Sequence, residues 1–291
     1  MKAKSKFFLS PYAVWVFLFT IIPLIMVAYY SFTVETDSGV IVSLDNFKRV
    51  VGSLYIGVIW KSIKIALIAT GVCLLLGYPA AYILATREYS KKTILLFLFI
   101  VPMWMNSLLR TYAWFTLLQG NGPINSVLGA AQGIVNSVFG TSFAWKLDIL
   151  YKDAAVYLGM VYNFLPFMIL PIYTVLVKLD SHLVEAAQDL GAPHSKVFTK
   201  IVFPLSVPGV VSGITMVFMP AVTTFFIPSL LGGGQYILVG NLIERNFLAL
   251  NDWHFGSTIS LVLMIVMLIS MGILSAIDKN KDKEAEGGAM F

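Results

Sequence analysis

The sequence is poor in charge, in cysteine and in histidine, and these shortages exclude several classes of protein. Only 12% of its 291 residues are charged, whereas soluble proteins carry about 25%. A soluble globular domain is therefore excluded. Cys73 is the only cysteine, so no disulfide can form within the chain, and we expect it to serve as a small packing residue. The three histidines lie far apart without the spacing of metal ligands, and the sequence predicts no metal site: His182, His194 and His254.

Long hydrophobic segments take the place of the missing charge, since 58% of the residues are hydrophobic. A helix rises 1.5 Å per residue, so about 20 apolar residues cross a hydrocarbon core of about 30 Å. In lipid the backbone must satisfy its own hydrogen bonds, which favours helices. The sequence predicts an all-α polytopic membrane protein with six transmembrane helices, at about residues 11–30, 65–86, 93–118, 154–177, 207–231 and 257–277. Arg110 is the only charged residue within them.

Basic residues near the ends of these segments predict the orientation. Twelve lysines and arginines fall on the side of both termini and of the loop 178–206, and seven fall on the opposite side. Both termini are therefore expected in the cytoplasm. The first apolar stretch, Phe7–Tyr30, is too long for a signal peptide and predicts an uncleaved first span. We expect residues 1–291 to form a single transmembrane domain with a disordered charged tail at 278–291.

The loop 178–206 is polar but patterned like folded structure. Asp180 is a suitable N-cap, and Gly191 supplies a left-handed helix stop. Between them, four apolar residues recur at helical spacing: Leu183, Ala186, Ala187 and Leu190. Pro193 can open a second short helix. That helix returns through Ile201 to the membrane, and we expect Pro204 to break it.

This loop resembles the EAA loop of ABC-importer permeases. The matching residues are Glu185-Ala186-Ala187, Gly191, Ile201 and Pro204. The resemblance implies a cytoplasmic coupling helix that docks into an ATPase subunit, with Leu183 and Leu190 on the same element. Taken alone, the loop is also compatible with an amphipathic connector that ends in a glycine.

The third predicted span carries a polar and aromatic cluster. Asn106, Arg110 and Trp114 recur at four-residue spacing, which places them on one helix face. A charge within a bilayer is costly, so Arg110 is expected to have a partner or a wet surface. It could snorkel to the outer interface or pair with an acid such as Asp153 or Glu244. Alternatively, it could belong to an outer gate.

A longer resemblance includes the same cluster. The string 101–112, together with 230–241 and 252–256, is similar to the PotB-type permeases of spermidine/putrescine importers. The resemblance implies a type I ABC importer permease fold in a bacterial inner membrane. It also implies a second, PotC-like permease, a PotA-like ATPase dimer that holds ATP and magnesium, and a PotD-like polyamine-binding protein. The chain itself would then be non-catalytic and bind no cofactor.

A polycationic substrate would favour carboxylates and aromatic faces, yet no Asp or Glu lies inside any predicted span. We therefore expect a weakly binding, aromatic half-pathway formed by Trp104, Asn106, Tyr112, Tyr162 and Asn163. Selectivity would lie mainly in the binding protein or the partner permease. An ABC importer for another solute, such as an amino acid, sulfate or a metal chelate, stays open. A secondary transporter is less favoured, because only Arg110 could act as an intramembrane coupling residue.

Overall fold

Helices dominate the computed structural model, which describes residues 11–12, 14–36, 39–86, 92–139 and 146–288. Five basic residues that contribute to the predicted orientation lie outside this part of the chain: Lys2, Lys4, Lys6, Arg87 and Lys91. A π-helical segment, Phe17–Ile21, precedes the first α-helix. The further elements follow in chain order: α1 Ile22–Ser31, β1 Thr33–Thr36, β2 Gly39–Val42, α2 Asp45–Val51, α3 Ser53–Thr86, α4 Lys92–Trp104, α5 Ser107–Leu118, α6 Pro123–Phe139, α7 Asp153–Val177, α8 Ser181–Asp189, α9 His194–Val197, a second π-helical segment Phe198–Val202, α10 Phe203–Thr223, α11 Phe226–Leu231, α12 Val239–Leu248 and α13 Trp253–Gly288.

Long apolar helices confirm the prediction of an all-α membrane protein. Within the described ranges, five helical segments are long and apolar enough to cross a membrane, and a sixth results if one bent pair counts as a single span. The five are Val14–Ser31, Ser53–Thr86, Asp153–Val177, His194–Thr223 and Trp253–Ala276. The only strands in this part of the chain, β1 and β2, form a short antiparallel hairpin after the first span.

The third span is broken, which corrects the prediction of one helix over 93–118. The axes of Ile94–Trp104 and Ser107–Ser137 differ by 96°. Pro102 weakens the last turn of α4, because it has no N–H to donate. Asn106 then takes an extended conformation and caps α5, accepting a hydrogen bond from the Leu108 N–H at 2.8 Å. The predicted helix face shared by Asn106, Arg110 and Trp114 therefore does not exist, because Asn106 precedes the helix.

The fifth span also differs from its prediction. Pro204 does not break the chain, which stays helical over His194–Thr223. The π-helical segment Phe198–Val202 directly precedes α10, and Pro204 lies in the first turn of α10. The hydrogen-bond register changes between these two segments, and the chain tolerates the missing proline N–H there. The helix ends instead at Thr223, where Thr224 is extended with ψ of 138°. The continuous span predicted at 207–231 is therefore wrong in its last third.

Two other helices exceed their predicted lengths. α3 begins at Ser53 rather than near residue 65, so Lys61 and Lys64 lie on the helix and not in a loop. α13 continues to Gly288, which gives residues 278–288 a helical backbone where the charged composition predicts disorder. Lysine, glutamate and alanine all favour helix, and this propensity accounts for the extension.

The chain divides into two compact units. The first comprises Met1–Trp60 and Val239–Ser270. In it, the Thr258 hydroxyl donates to the Ser31 carbonyl at 3.2 Å, and the Thr33 hydroxyl lies 3.0 Å from the His254 Nδ1. The Arg49 guanidinium lies 3.8 Å from the centre of the Phe255 ring and pairs with Asp252 at 3.2 Å. Buried polar contacts therefore join the end of α1 to the start of α13.

The second unit comprises Lys61–Leu238 and Met271–Phe291. Its core is the contact of α7 with α10, where two glycines of α10 face α7. A Cβ atom on Gly209 would lie 3.0 Å from the Pro171 carbonyl oxygen, and one on Gly213 would lie 2.8 Å from the Met168 sulfur. Met168 is completely buried. The small residues thus allow a close approach of the two helices in the manner of a GxxxG motif.

Candidate functional site

The loop 178–206 folds into a short helix with a defined start. Asp180 is extended, and its carboxylate accepts a hydrogen bond from the His182 N–H at 3.0 Å, which caps α8 as the sequence predicts. The imidazole of His182 lies 3.5 Å from the Glu185 carboxylate on the next turn. Both side chains are exposed, so this contact adds little stability.

The end of α8 depends on Gly191, whose φ is +78°. The Gly191 N–H donates to the Gln188 carbonyl at 2.8 Å, and the Ala192 N–H donates to the Ala187 carbonyl at 3.1 Å. These two bonds are those of a Schellman motif, which requires the left-handed conformation at this position. The glycine stop predicted from the sequence is therefore present.

No residue of α8 is buried. Leu183 and Leu190 are exposed, Leu190 to 89%. Glu185 and Ala186 are also exposed, and Ala187 is half-buried. Exposed leucines on a short amphipathic helix form a surface suited to a partner protein. Beyond the helix, Ile201 is half-buried within the π-helical segment and Pro204 is exposed.

An aromatic cluster connects this loop to the spans of its unit. The Tyr78 ring on α3 lies 5.9 Å from the Phe198 ring and 5.7 Å from the Phe203 ring, centre to centre. Its hydroxyl lies 2.9 Å from the Ser206 hydroxyl, which itself donates to the Phe203 carbonyl at 2.8 Å. Tyr78 is therefore the donor in the first bond. A displacement of the loop would reach both α3 and α10 through these contacts.

A second feature of this unit is a cleft of about 460 Å³ among α4, α5, α7, α10 and α11. Its lining combines aromatic rings with a few polar side chains. The lining residues are Met103, Met105, Ser107, Arg110, Asn163, Phe164, Phe167, Pro220, Thr223, Thr224, Phe225 and Phe226. The third predicted span breaks at Met105 and the fifth breaks at Thr224. Both residues line this cleft, so both breaks lie at it.

Three buried polar side chains of the cleft have unpaired atoms. Arg110 is 6% exposed, and neither its Nε nor its Nη1 has a hydrogen-bond partner. Asn163 is 2% exposed; its Nδ2 donates to the Gly159 carbonyl at 2.9 Å, while its Oδ1 is unpaired. The hydroxyl of Thr224, 6% exposed, is also unpaired. Unpaired buried groups of this kind are costly, which makes the cleft a candidate binding site.

Arg110 forms no ion pair with any described residue, Asp153 included. A side chain this buried does not snorkel to an interface. The centre of the Tyr162 ring lies 6.0 Å from the guanidinium carbon. Tyr162 in turn packs edge-on against Trp114, with 5.3 Å between ring centres. The charge is thus held between polar and aromatic groups of its own unit.

The predicted pathway residues do not all meet at the cleft. Asn163 lines it, whereas the lining does not include Trp104, Asn106, Tyr112 or Tyr162. Trp104 is 78% exposed, and Tyr112 and Tyr162 are also exposed. Sequence reasoning missed Thr224 and the phenylalanines of the lining. A signal was present, because Thr223-Thr224-Phe225-Phe226 interrupts an otherwise aliphatic stretch.

Two carboxylates outside the spans are paired with lysines. Asp148 lies 2.8 Å from Lys152, and Asp45 lies 3.0 Å from Lys48. The hydrogen bond to the neighbouring lysine lowers the pKa of each aspartate, with a smaller coulombic effect of the same lysine. These two acids are therefore charged but neutralised locally. Across the described residues, no group of three His, Cys, Asp or Glu side chains is placed to hold a metal.

Comparison with known proteins decides the family. Residues 74–282 match the family model described as the inner membrane component of binding-protein-dependent transport systems. The chain belongs to this family. It is thus a transport permease subunit of the inner membrane, and its all-α architecture is that of a type I ABC importer permease. The family membership confirms the resemblance to ABC-importer permeases.

Curated relatives and a solved structure extend this result. The permease is 39% identical over 256 residues to the spermidine/putrescine transport system permease protein PotB of Escherichia coli, a match that covers 87% of this chain and 90% of that one. The PotB of Haemophilus influenzae is 35% identical over 275 residues, a match that covers 94% of this chain and 93% of that one. The crystal structure of a bacterial alginate ABC transporter matches with a TM-score of 0.70 at 16% identity, covering 94% of each chain. The last match concerns the fold alone.

Proposed function

We propose that this permease forms one half of the membrane pathway of an ATP-driven importer for spermidine and putrescine. The observation that carries the proposal is its 39% identity to the Escherichia coli PotB over nearly the whole chain. The string at 101–112, on which the sequence resemblance depends, includes Arg110 at the cleft and the break at Asn106. The most specific sequence match and the most unusual structural feature therefore coincide.

The partners follow from the same reasoning. A second, PotC-like permease would complete the pathway, and a PotA-like ATPase dimer would bind α8 from the cytoplasm, the side on which both termini would also lie. A PotD-like binding protein would deliver the polyamine from outside. ATP and magnesium would stay on the ATPase, so this chain would bind no cofactor and catalyse no reaction. The exposed, apolar surface of α8 supports the position of the ATPase.

The polyamine route would combine aromatic faces with few fixed charges. Ammonium groups are held over aromatic rings at about 0.5–2 kcal/mol each, which permits both binding and release. Exposed rings at Trp104, Tyr112 and Tyr162 could contribute such contacts, with Asn106 and Asn163 as hydrogen-bond acceptors. The carboxylates of Asp45 and Asp148 are neutralised by lysines, and selectivity would lie mainly in the binding protein or the partner permease.

The proposal is tested by measuring the uptake of labelled spermidine. The permease is expressed with its three partners in a bacterial strain that lacks its own polyamine importers, and uptake of labelled spermidine is measured against competing putrescine, amino acids and sulfate. We expect saturable, ATP-dependent uptake that only polyamines inhibit. Inhibition by an amino acid or by sulfate instead would assign the permease to an importer of that solute.

A further inference from the structure

The cleft contains an incomplete set of hydrogen-bonding groups. Arg110 offers two unpaired donors, Nε and Nη1, and Thr224 offers an unpaired hydroxyl. The side chains of Arg110, Asn163 and Thr224 are all at least nine-tenths buried. They come from α5, α7 and the residue after α10, so three separate elements place unpaired polar atoms on one cavity. Such an arrangement is a preformed site and not a local defect of one helix.

The donors point to a carboxylate. A carboxylate is the natural acceptor for an unpaired buried guanidinium, because its oxygens accept charge-assisted hydrogen bonds from the N–H groups. The chain does not supply this acid from the elements around the cleft: α4, α5, α10 and α11 contain no Asp or Glu. The only acid of α7, Asp153, lies ten residues from Asn163, or about 15 Å along the helix.

We infer that the cleft receives a carboxylate side chain from the second permease subunit. Arg110 holds it through a charge-assisted hydrogen bond from its guanidinium, and the Thr224 hydroxyl donates a second bond. The inference rests on the proposed function to the extent that it requires a second permease chain.

Charge complementarity favours a fixed partner carboxylate. A bare guanidinium in the pathway would repel a polycation, whereas an Arg110–carboxylate pair is neutral and lets the cargo pass. Apolar side chains flank the cleft and are exposed, among them Met105, Leu109 and Phe225. A transmembrane helix of the partner could cover them in the same contact that buries its acid.

The experiment is a charge reversal across the two permeases. In the complete complex, Arg110→Glu is combined with single Lys substitutions of each Asp and Glu in the partner's spans. Assembly is measured as the amount of partner that co-purifies with this chain. We expect Arg110→Glu to reduce co-purification at least about tenfold, since it places two buried acids together. One partner substitution should restore co-purification to within about twofold of the parental complex.

Two controls test the specificity of that result. Lys64→Glu makes the same charge change at an exposed residue of α3 and should leave co-purification unchanged. Arg110→Cys, in a chain with Cys73→Ser, should crosslink through a short bifunctional thiol reagent to a cysteine placed at the restoring partner position. A reagent with a spacer is needed because a direct disulfide requires Cα atoms within about 7 Å, and an arginine–carboxylate pair holds them farther apart.

Two outcomes would overturn the inference. The first is an Arg110→Leu complex that assembles and transports like the parental one. In the second, no partner substitution restores co-purification, and the parental complex becomes less thermally stable when chloride is replaced by gluconate. This result would assign the cleft to a free anion. Co-purification needs no substrate, so failure of spermidine uptake alone would count against the proposed function and not against this contact.

Discussion

At the scale of single residues, the backbone conformation at Gly191 restricts which side chains the position accepts. A Cβ there would meet nothing within 4 Å, so only the left-handed φ of +78° opposes substitution. Gly191→Val should cost about 1–2 kcal/mol in this conformation and turn the exit of α8. We expect ATP hydrolysis by the complex to continue while spermidine uptake falls several-fold, measured side by side in proteoliposomes.

The matched control is Gly191→Asn, because asparagine tolerates the left-handed region better than other residues. It should keep most of the coupling, whereas Gly191→Val should not. If the Gly191→Val complex takes up spermidine as fast as the parental complex, at equal amounts of assembled complex, the Schellman turn is not needed for coupling.

The exposed rings of the proposed route allow a second residue-level prediction. Trp104→Ala should lower spermidine uptake several-fold without changing expression or the affinity of the binding protein, because one cation–π contact is lost. Tyr162→Phe should transport normally, since it keeps the ring, while Tyr162→Ala should not. If Trp104→Ala, Tyr112→Ala and Tyr162→Ala all import spermidine at the parental rate, these rings have only a packing role.

At the scale of elements, the contact between α7 and α10 tests the close approach of helices. Gly209→Leu would push a side chain against the Pro171 carbonyl and the Ile172 Cα, which are backbone atoms and cannot rotate away. Overpacking of this kind costs about 1–3 kcal/mol. We expect a lower midpoint of thermal unfolding in detergent, measured by fluorescence.

The control for this prediction is Gly71→Leu on α3. Gly71 lies in a helix too, but a Cβ there would meet nothing within 4 Å. Its substitution should leave the midpoint within the error of measurement. A loss of stability equal to that of Gly209→Leu would show that both effects arise from contacts with lipid and not from the α7–α10 interface.

The sequence predicted elements best where local chemistry decides them. Asp180 and Gly191 bound α8 as expected, because capping and a left-handed stop involve only neighbouring residues. The broken spans were missed because hydropathy averages over a window and does not register a turn of two residues. Asn106 and Thr224 are the polar residues at those breaks. At Pro204 the error is the reverse, because the sequence predicts a break where the helix continues. The sequence does not reveal the π-helical segment that precedes this proline.

At the scale of the whole molecule, the spans differ in how much of their surface this chain covers. Of the Asp153–Val177 and His194–Thr223 windows, 44% is buried within the chain, against 6% for Val14–Ser31 and 11% for Trp253–Ala276. The sequence could not predict this difference, because all of these segments are similarly apolar. The poorly covered helices leave apolar surface for lipid or for another membrane chain.

Assembly provides the last prediction. A chain that forms half of a pathway should neither transport spermidine nor hydrolyse ATP when purified alone. Cysteines introduced at exposed positions in the Cys73→Ser background, such as Leu109→Cys, should crosslink to the second permease and not to another copy of this chain. A cysteine at the fully buried Ile169 is the matched control and should not crosslink. Crosslinked homodimers that transport spermidine without a second permease would contradict the heteromeric assembly and, with it, the need for a partner acid at Arg110.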